Sequence, residues 1–452
     1  MSSTSTKTRS RNFLVIIFLL QFIVCASVFL NIPVGRQVIG FFYLTFVPGL
    51  VIVKLIRLDK LDLWETILLS AGLSIVFLIL VGLLVNELWF TFGFPEPLSL
   101  MPLLVALSGF ILVGAILAFF RNANIELHEV KNLGWASSAR TLLLMGLASV
   151  SVIGAIWANA FGNNIVLLFL ILAISLVFVA VVISQKLFPP KLYPLVIFVI
   201  AISLLYHSTL ISNYMVGWDV QLEYFVSKST QNITYWSSTN PYFGDAVYGR
   251  FNSMLSVTIL PTIYSTLLNL DISWVFKILY PVIFSLLPLS LYQVWKEYIG
   301  EKYSFISAFL FMSYETFYTE MLGLNRQIVA EFFFVLLLLV ILNRKIKPFG
   351  KIVFFTIFSF GLVVSHYGLS EIFLFFIALT FVSLFLVKRP SRNITIFMVM
   401  SFFVIMFAWY IFTSGSATFN SFVEFGNYVY GRLGEFFNFA SREPSVLKGL
   451  GL

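Results

Sequence analysis

The stretch FNSMLSVTILPTIYSTLLN, residues 251–269, decides the topology of this chain, because its apolar length approaches that of a membrane-spanning helix. Such a helix needs about 20 mostly apolar residues. Pro261 lies in the middle of the stretch, with several serine and threonine residues around it. Proline removes a helical hydrogen bond, so the pattern favours a helix at the membrane surface over one that crosses. If the stretch did cross, every later segment would have the opposite orientation.

The composition indicates that most of the chain lies within a membrane. Of its 452 residues, 60% are hydrophobic and 18% aromatic, while only 11% are charged. Soluble domains have an apolar share of roughly 45–50%. The sequence therefore predicts an all-α polytopic membrane protein with about 13 transmembrane helices. The predicted spans are residues 13–32, 37–56, 64–86, 98–120, 141–161, 165–185, 192–212, 273–295, 303–318, 327–343, 351–366, 368–387 and 394–413.

The distribution of lysine and arginine predicts the orientation of the spans. If the N-terminus is cytoplasmic and 251–269 does not cross, cytoplasmic segments carry 20 of the 28 basic residues and external segments carry 8. If 251–269 crosses, these numbers become 16 and 12. Cytoplasmic loops are enriched in basic residues, so the first arrangement is favoured. It places loop 213–272 and the C-terminal tail outside the cell membrane.

The long external loop begins with two carboxylates in the motif GWDVQLE. Asp219 and Glu223 are four residues apart, so they share one face of a helix. A positioned carboxylate can take a proton from a hydroxyl group as a general base, and Asp219 is the candidate for this role. Asp219 also suits an N-cap after Gly217, and both interpretations stay open. Glu223 has the weaker claim, because an exposed glutamate on a helix is usually only solvated.

Other ionisable residues are predicted on the same side of the membrane. Glu315, Glu320 and Arg326 lie in one predicted external turn, and His366 lies in another. Arg326 could hold a phosphate through its planar guanidinium, or it could extend to the membrane surface or pair with a glutamate. For His366, a hydrogen bond to a neighbouring carbonyl is the competing interpretation. Ionisable residues in spans usually line a site, so we expect an external site.

Several classes of enzyme lack their sequence signatures. The chain has no GxxxxGK[ST] loop, no GxGxxG motif, no HExxH motif and no serine nucleophile elbow. These absences count against a nucleotide-driven pump, a dehydrogenase, a zinc protease and a hydrolase. Cys25 is the only cysteine, which excludes an internal disulfide and a cysteine-based metal site. The net charge of +8 reflects the basic cytoplasmic loops and predicts no nucleic-acid partner.

The order of a span, an acidic loop and further spans resembles that of the multi-pass GT-C-type glycosyltransferases, which use polyprenyl-phosphate-linked sugars. The resemblance covers about residues 192–413. It implies that 192–212 is the first helix of the family, that Asp219 is the catalytic base, and that 251–269 is a juxtamembrane helix. The residues with implied substrate-binding roles are Glu223, Glu315, Glu320, Arg326 and His366. The acidic motif is D-x-x-x-E, not a tighter pair, so a requirement for Mg²⁺ or Mn²⁺ stays open.

Three parts of the chain are predicted. Residues 1–190 form a transmembrane block of unknown role, in which 41–86 resembles a recurring element of uncharacterised archaeal membrane proteins. Residues 191–413 form the GT-C-like module with the external loop 213–272. Residues 414–452 form an external, aromatic-rich tail. The whole chain looks similar to archaeal proteins of this composite kind, which implies an archaeal cell membrane.

The resemblance implies an inverting transfer of a sugar from a polyprenyl- or dolichyl-phosphate-linked donor to a glycan or protein acceptor at the outer membrane face. The sequence identifies neither the sugar nor the acceptor. A transporter or flippase for lipid-linked glycans is one alternative, and a non-catalytic membrane assembly protein is another. Transporters place polar groups near the bilayer midplane, whereas the ionisable residues here cluster at one edge, which favours the enzyme. The seven spans before the loop leave the assembly protein open.

Overall fold

The structure is a computed structural model that describes residues 2–58, 61–93, 95–121, 139–238, 246–389, 391, 393–414, 417–435 and 438. Every regular element among these residues is helical. The helices are α1 (Ser2–Phe29), α2 (Gly35–Ile56), α3 (Leu63–Thr91), α4 (Leu100–Phe120), α5 (Ala139–Phe161), α6 (Ile165–Ile183), α7 (Tyr193–Thr209), α8 (Asp219–Ile233), α9 (Ala246–Asn252), α10 (Ile259–Leu268), α11 (Ile272–Trp274), α12 (Tyr280–Ser313), α13 (Glu315–Tyr318), α14 (Asn325–Leu342), α15 (Pro348–Val363), α16 (Tyr367–Leu386), α17 (Ile396–Ser414) and α18 (Ala417–Gly431). A π-helix covers Val275–Leu279, and 3-10 turns cover Pro190–Leu192, Glu320–Gly323 and Leu433–Glu435.

Eleven helical runs among these residues are long and apolar enough to cross a membrane. One of them, Ile272–Ser313, contains Gly300 with φ 79° and ψ 166°, which are not helical values. The rings of Phe284 and Phe317 stack with centroids 4.9 Å apart, although a straight helix would separate them by about 50 Å. The run therefore folds back on itself as two helices. With the shorter apolar helix α15, these runs account for the predicted spans, and the all-α polytopic class is confirmed.

Helix α3 lies at the centre of the bundle because its glycines allow close contact with later helices. A Cβ atom on Gly72 would lie 2.2 Å from the side chain of Leu336 in α14. From the facing side, a Cβ atom on Gly361 of α15 would lie 2.8 Å from the side chain of Val76. Helices before and after the long loop thus share one apolar core. The boundary at residue 190 stays a prediction.

The stretch 251–269 differs from the surface helix expected for it, because helix α10 is buried among its neighbours. The hydroxyl groups of Tyr264 and Thr45 lie 2.9 Å apart, and Arg36 donates from Nε to the carbonyl oxygen of Leu267 at 2.7 Å. Ten residues of helix extend about 15 Å, which is half of the hydrocarbon thickness. Helix α10 is thus too short to cross, and the N-terminal helices hold it in place.

Candidate functional site

A contact between two glycines places the beginning of helix α8 against the beginning of helix α14. Gly217 has φ +126°, and a Cβ atom there would lie 3.0 Å from the Cα atom of Gly323. Non-glycine residues rarely adopt this backbone conformation, and any side chain would push the two segments apart. Helix α8 begins two residues later, at Asp219, so its first carboxylate meets the first turn of α14.

Arg326 joins the two carboxylates of the GWDVQLE motif. Its Nη2 atom lies 2.6 Å from Oδ2 of Asp219, and its Nη1 atom lies 2.8 Å from Oε1 of Glu223. The guanidinium also lies over the ring of Phe251, with Cζ 4.6 Å from the ring centroid. Since the Arg326 side chain is only 9% exposed, these contacts replace most of its hydration. Both Nη atoms of the guanidinium are therefore engaged within the protein, while Nε is buried without a hydrogen-bond partner among the described residues.

Glu223 closes the N-terminus of helix α14. Its Oε2 atom accepts the backbone N–H of Asn325 at 2.8 Å, and its Oε1 atom accepts that of Arg326 at 3.3 Å. The first N–H groups of a helix lack partners within the helix and favour a negative charge. The expectation of a solvated glutamate is wrong, because Glu223 is 0% exposed. Burial raises the pKa of Glu223 to about 7, while the Arg326 guanidinium and the two N–H groups oppose this shift.

Asp219 is the exposed member of this ion-pair cluster. Its side chain is 38% exposed, whereas Glu223 and Arg326 lie beneath it. The N-cap position of helix α8 is Trp218, and no side chain caps the helix there. The carboxylate of Asp219 therefore pairs with Arg326 and does not serve as the expected N-cap. The other oxygen of Asp219, Oδ1, has no hydrogen-bond partner among the described residues, so a second partner can use it.

His366 belongs to the same end of the bundle. It is the N-cap of helix α16, where its Nδ1 atom accepts the backbone N–H of Leu369 at 3.2 Å. Burial lowers the pKa of His366 to about 4; the Arg326 guanidinium adds to this shift, and Asp219 opposes it. The ring is therefore neutral near pH 7, with Nε2 as its donor. The expected bond to a carbonyl is replaced by this capping bond.

A cavity of about 360 Å³ adjoins the Gly217–Gly323 contact. It lies between the end of α7, the loop after it, the π-helix and the 3-10 turn that contains Glu320. Lys277 of the π-helix lines the cavity and is buried, whereas Glu320 lines it and is exposed. Glu315 is exposed and lines neither this cavity nor the ion-pair cluster. Of the predicted site residues, four converge, Glu320 lies at the adjacent cavity, and Glu315 stays apart.

A second cavity, of about 590 Å³, is a groove between helices α12, α14 and α16. Its walls are apolar apart from Ser307 and Glu331. Glu331 accepts a hydrogen bond from Nε2 of Gln327 at 2.9 Å. Glu331 and Arg326 lie on the same helix, five residues apart. The groove therefore begins within about 8 Å, measured along the helix, of the ion-pair cluster.

The carboxylates of Asp219 and Glu223 do not form a binding site for a divalent metal ion. In the described part of the chain, no group of three histidine, cysteine or acidic side chains could hold one. The two carboxylates of the acidic motif already share the positive charge of Arg326. A second cation between them would compete with that guanidinium. The cluster therefore does not fit Mg²⁺ or Mn²⁺.

Sequence reasoning missed two residues that shape the site. Phe251, which covers the guanidinium of Arg326, had no signal in the sequence, because only the fold brings it to that position. Lys277 had a signal, because it is a lysine inside the predicted span 273–295. An ionisable residue within a span is costly and usually functional, so this position merited attention.

The fold and the site define a multi-pass, all-α membrane protein with a buried ion-pair cluster at one end. A family model described as a predicted membrane protein, DUF2206, matches residues 351–448. The match begins within helix α15, continues through helix α18 and includes His366, and the chain is similar to that family over this part. No curated protein matches the chain. No solved structure matches it either.

Proposed function

We propose that this protein is an inverting membrane glycosyltransferase that moves a sugar from a polyprenyl-phosphate-linked donor to a hydroxyl group of a glycan or protein acceptor. The observation that carries the proposal is the half-exposed carboxylate of Asp219, held 2.6 Å from the buried guanidinium of Arg326 beside a cavity. A carboxylate that is fixed in position suits the removal of a proton from an attacking hydroxyl group.

Asp219 accepts the proton that the proposed reaction releases. The acceptor oxygen forms a bond to the anomeric carbon of the sugar, and the bond from that carbon to the phosphate oxygen breaks. The electron pair leaves with the lipid phosphate, and the acceptor proton passes to the free oxygen of Asp219. Attack from the face opposite to the phosphate inverts the anomeric centre. Asp219 is thus the catalytic residue of this proposal.

Arg326 serves as a positioning residue in this proposal. Of the roles that the sequence leaves open for Arg326, the ion pair is the one observed, because its Nη2 and Nη1 atoms bind Asp219 and Glu223. Its Nη2 atom, 2.6 Å from Oδ2 of Asp219, fixes the direction of that carboxylate. His366, neutral near pH 7, caps helix α16 through Nδ1 and adds no charge to the site.

The proposed location is the outer face of the cell membrane, with the N-terminus in the cytoplasm and the C-terminus outside. Support comes from the basic residues, 20 of which fall on the cytoplasmic side in this orientation. The apolar groove of about 590 Å³ would accommodate part of the isoprenoid chain. Residues 191–413 would then form the catalytic module.

The test is a transfer assay in membranes supplied with a panel of polyprenyl-phosphate-linked sugars. We expect Asp219→Asn to abolish transfer while the protein still folds, with a smaller fall in its unfolding midpoint than Glu223→Ala causes, because Asp219 is 38% exposed. Glu315→Gln is the matched control, because this exposed carboxylate lies outside the cluster. Full transfer by Asp219→Asn would remove Asp219 from its catalytic role.

A flippase for lipid-linked glycans is the second candidate function. The groove between α12, α14 and α16 favours it, since a carboxylate, Glu331, lies there among apolar walls within a membrane helix. Reconstituted vesicles with a fluorescent lipid-linked sugar separate the two functions. A flippase moves the lipid between leaflets even with Asp219→Asn, whereas the enzyme needs an acceptor and the intact carboxylate.

A further inference from the structure

Lys277 is a buried cation that has no ion pair with any carboxylate in the described residues. The residue is only 5% exposed. Its ammonium group donates to the backbone carbonyl of Ser212 and lies 5.1 Å from the ring centroid of Trp274. One carbonyl and one aromatic ring compensate poorly for the lost hydration of a full charge. The ammonium group of Lys277 can therefore form an ion pair with a bound anion.

The π-helix directs Lys277 toward the cavity and is itself held by the neighbouring helix. Thr209 donates from Oγ1 to the carbonyl oxygen of Lys277 at 2.7 Å, and Tyr206 donates from its hydroxyl to that of Ile278 at 3.1 Å. A π-helical turn leaves regular helical bonding at a cost, and such turns occur frequently at functional sites. Here two side chains of α7 compensate this cost and fix the position of Lys277.

The other walls of the cavity suit a small polar group. His207, Ser208 and Ser212 line it with Lys277, and the exposed carboxylate of Glu320 lies on the same wall as Gly323. A volume of about 360 Å³ is at the lower end of the range of about 300–1,000 Å³ for ligand pockets. This size fits one sugar with its phosphate and excludes a long oligosaccharide.

We infer that this cavity binds the phosphate and the single sugar of the donor headgroup, with Lys277 paired to the phosphate and Glu320 accepting hydrogen bonds from sugar hydroxyl groups. The inference rests on the proposed function and deepens it. The cavity reaches Gly217 and Val220, which flank Asp219 in sequence, so a sugar held there lies within reach of the proposed base. It also supplies the phosphate contact that Arg326 cannot make.

The experiment measures binding, so it is independent of turnover. Purified protein in nanodiscs is titrated with a fluorescent polyprenyl-phosphate monosaccharide, with the uncharged polyprenol as the comparison lipid. We expect Lys277→Gln to weaken binding about tenfold or more, as the loss of a charge-assisted hydrogen bond implies, and Lys277→Arg to retain part of it. Lys302→Gln, at an exposed site in α12, is the control and should bind as the unchanged protein does.

Two further arms keep the test decisive. Ile211→Trp adds volume at an exposed lining position without touching Lys277, so it should weaken binding even if Lys277→Gln does not fold. Competition by soluble pyrophosphate tells whether a free phosphate occupies the same site as the lipid headgroup. Equal binding of polyprenol, or unchanged binding by both Lys277→Gln and Ile211→Trp, would overturn the inference. The titration contains no acceptor and needs no turnover, so a failed transfer assay and a failed binding site remain distinguishable.

Discussion

The carboxylate of Glu223 accepts the backbone N–H of Asn325 at 2.8 Å, so a residue of the loop completes the first turn of a membrane helix. Most helices are capped by a side chain close in sequence. Here the cap lies 102 residues away in sequence and also binds the guanidinium of Arg326. Glu223 and the proposed base Asp219 thus both bind Arg326, which lies in the first turn of helix α14.

Removal of the Glu223 carboxylate should destabilise the protein strongly. Glu223→Ala leaves the buried guanidinium of Arg326 with one carboxylate partner fewer. Loss of one partner of a buried ion pair costs about 3–5 kcal/mol. Denaturant unfolding in mixed micelles measures this change. Glu315→Ala, an exposed glutamate, should shift the midpoint little, and equal shifts for the two variants would contradict the structural role of Glu223.

Substitution of Arg326 by lysine should separate positioning from charge. Lysine keeps the positive charge but cannot bind two carboxylates through a planar fork. If the proposed function holds, Arg326→Lys should lower kcat about tenfold to a hundredfold, with a smaller change in the KM for the donor. Arg344→Lys, at an exposed site, is the control. A change confined to KM would indicate that Arg326 binds the donor directly.

Any side chain at position 217 should separate helix α8 from α14. Gly217→Ala places a Cβ atom 3.0 Å from the Cα atom of Gly323, and it does so at φ +126°. Strain of this kind costs of the order of 1–3 kcal/mol. Gly109→Ala is matched to it, because a Cβ atom there meets nothing within 4 Å. The unfolding midpoint should fall for Gly217→Ala and not for Gly109→Ala. Equal midpoints would mean that the segments around Gly217 and Gly323 can move apart without loss of stability.

The stability of the protein should depend on pH through His366. Its pKa is about 4 when folded and 6.5 when unfolded, because burial and Arg326 disfavour the charged ring. Between these values the unfolded state binds more protons, so this contribution to stability falls as the pH drops from 6.5 to 4. The full effect is about 3 kcal/mol. The decrease in the free energy of unfolding between pH 7 and pH 4.5, measured by denaturant titration, should be smaller in His366→Gln than in the unchanged protein. An equal decrease in both proteins would exclude His366 as its source.

Cysteine labelling should show that the stretch 251–269 does not cross the membrane. In a Cys25→Ser background, Asn213→Cys lies before the stretch and Asn269→Cys lies at its last residue, both at exposed positions. Both should react with a membrane-impermeant maleimide added to intact cells, and Lys302→Cys should react only after lysis. Opposite reactivity at positions 213 and 269 would mean that the stretch crosses.

The convergence of Asp219, Arg326 and His366 could be predicted from the sequence, because spans and basic loops assign each residue to one end of the bundle. The distances among them could not. Each depends on how two helices far apart in the chain pack, and a residue pattern does not contain that information. The close approach of Gly217 and Gly323 illustrates this, since either glycine alone would fit an ordinary turn.

A residue pattern in helix α8 indicates the burial of Glu223. Helix α8 buries Val220, Val226, Ser227 and Thr230 together with Glu223, a face of β-branched and small residues at helical spacing. The aromatic residues Trp218 and Phe225 of the same segment are exposed. In a membrane protein, an apolar stripe can face lipid while the more polar face packs inward. The usual assumption of soluble proteins, that polar faces are solvated, therefore failed for this helix.

The fixed position of helix α8 has a consequence for ligand entry. A loop that closes over its ligand must first lie open. An open position of helix α8 would break the hydrogen bond between Glu223 and Asn325 and would leave the buried guanidinium of Arg326 without its carboxylate partner Glu223. Helix α8 is therefore part of the frame of the protein and does not act as a lid. A ligand of the adjacent cavity meets walls that are already in place, so its binding energy is not spent on ordering them.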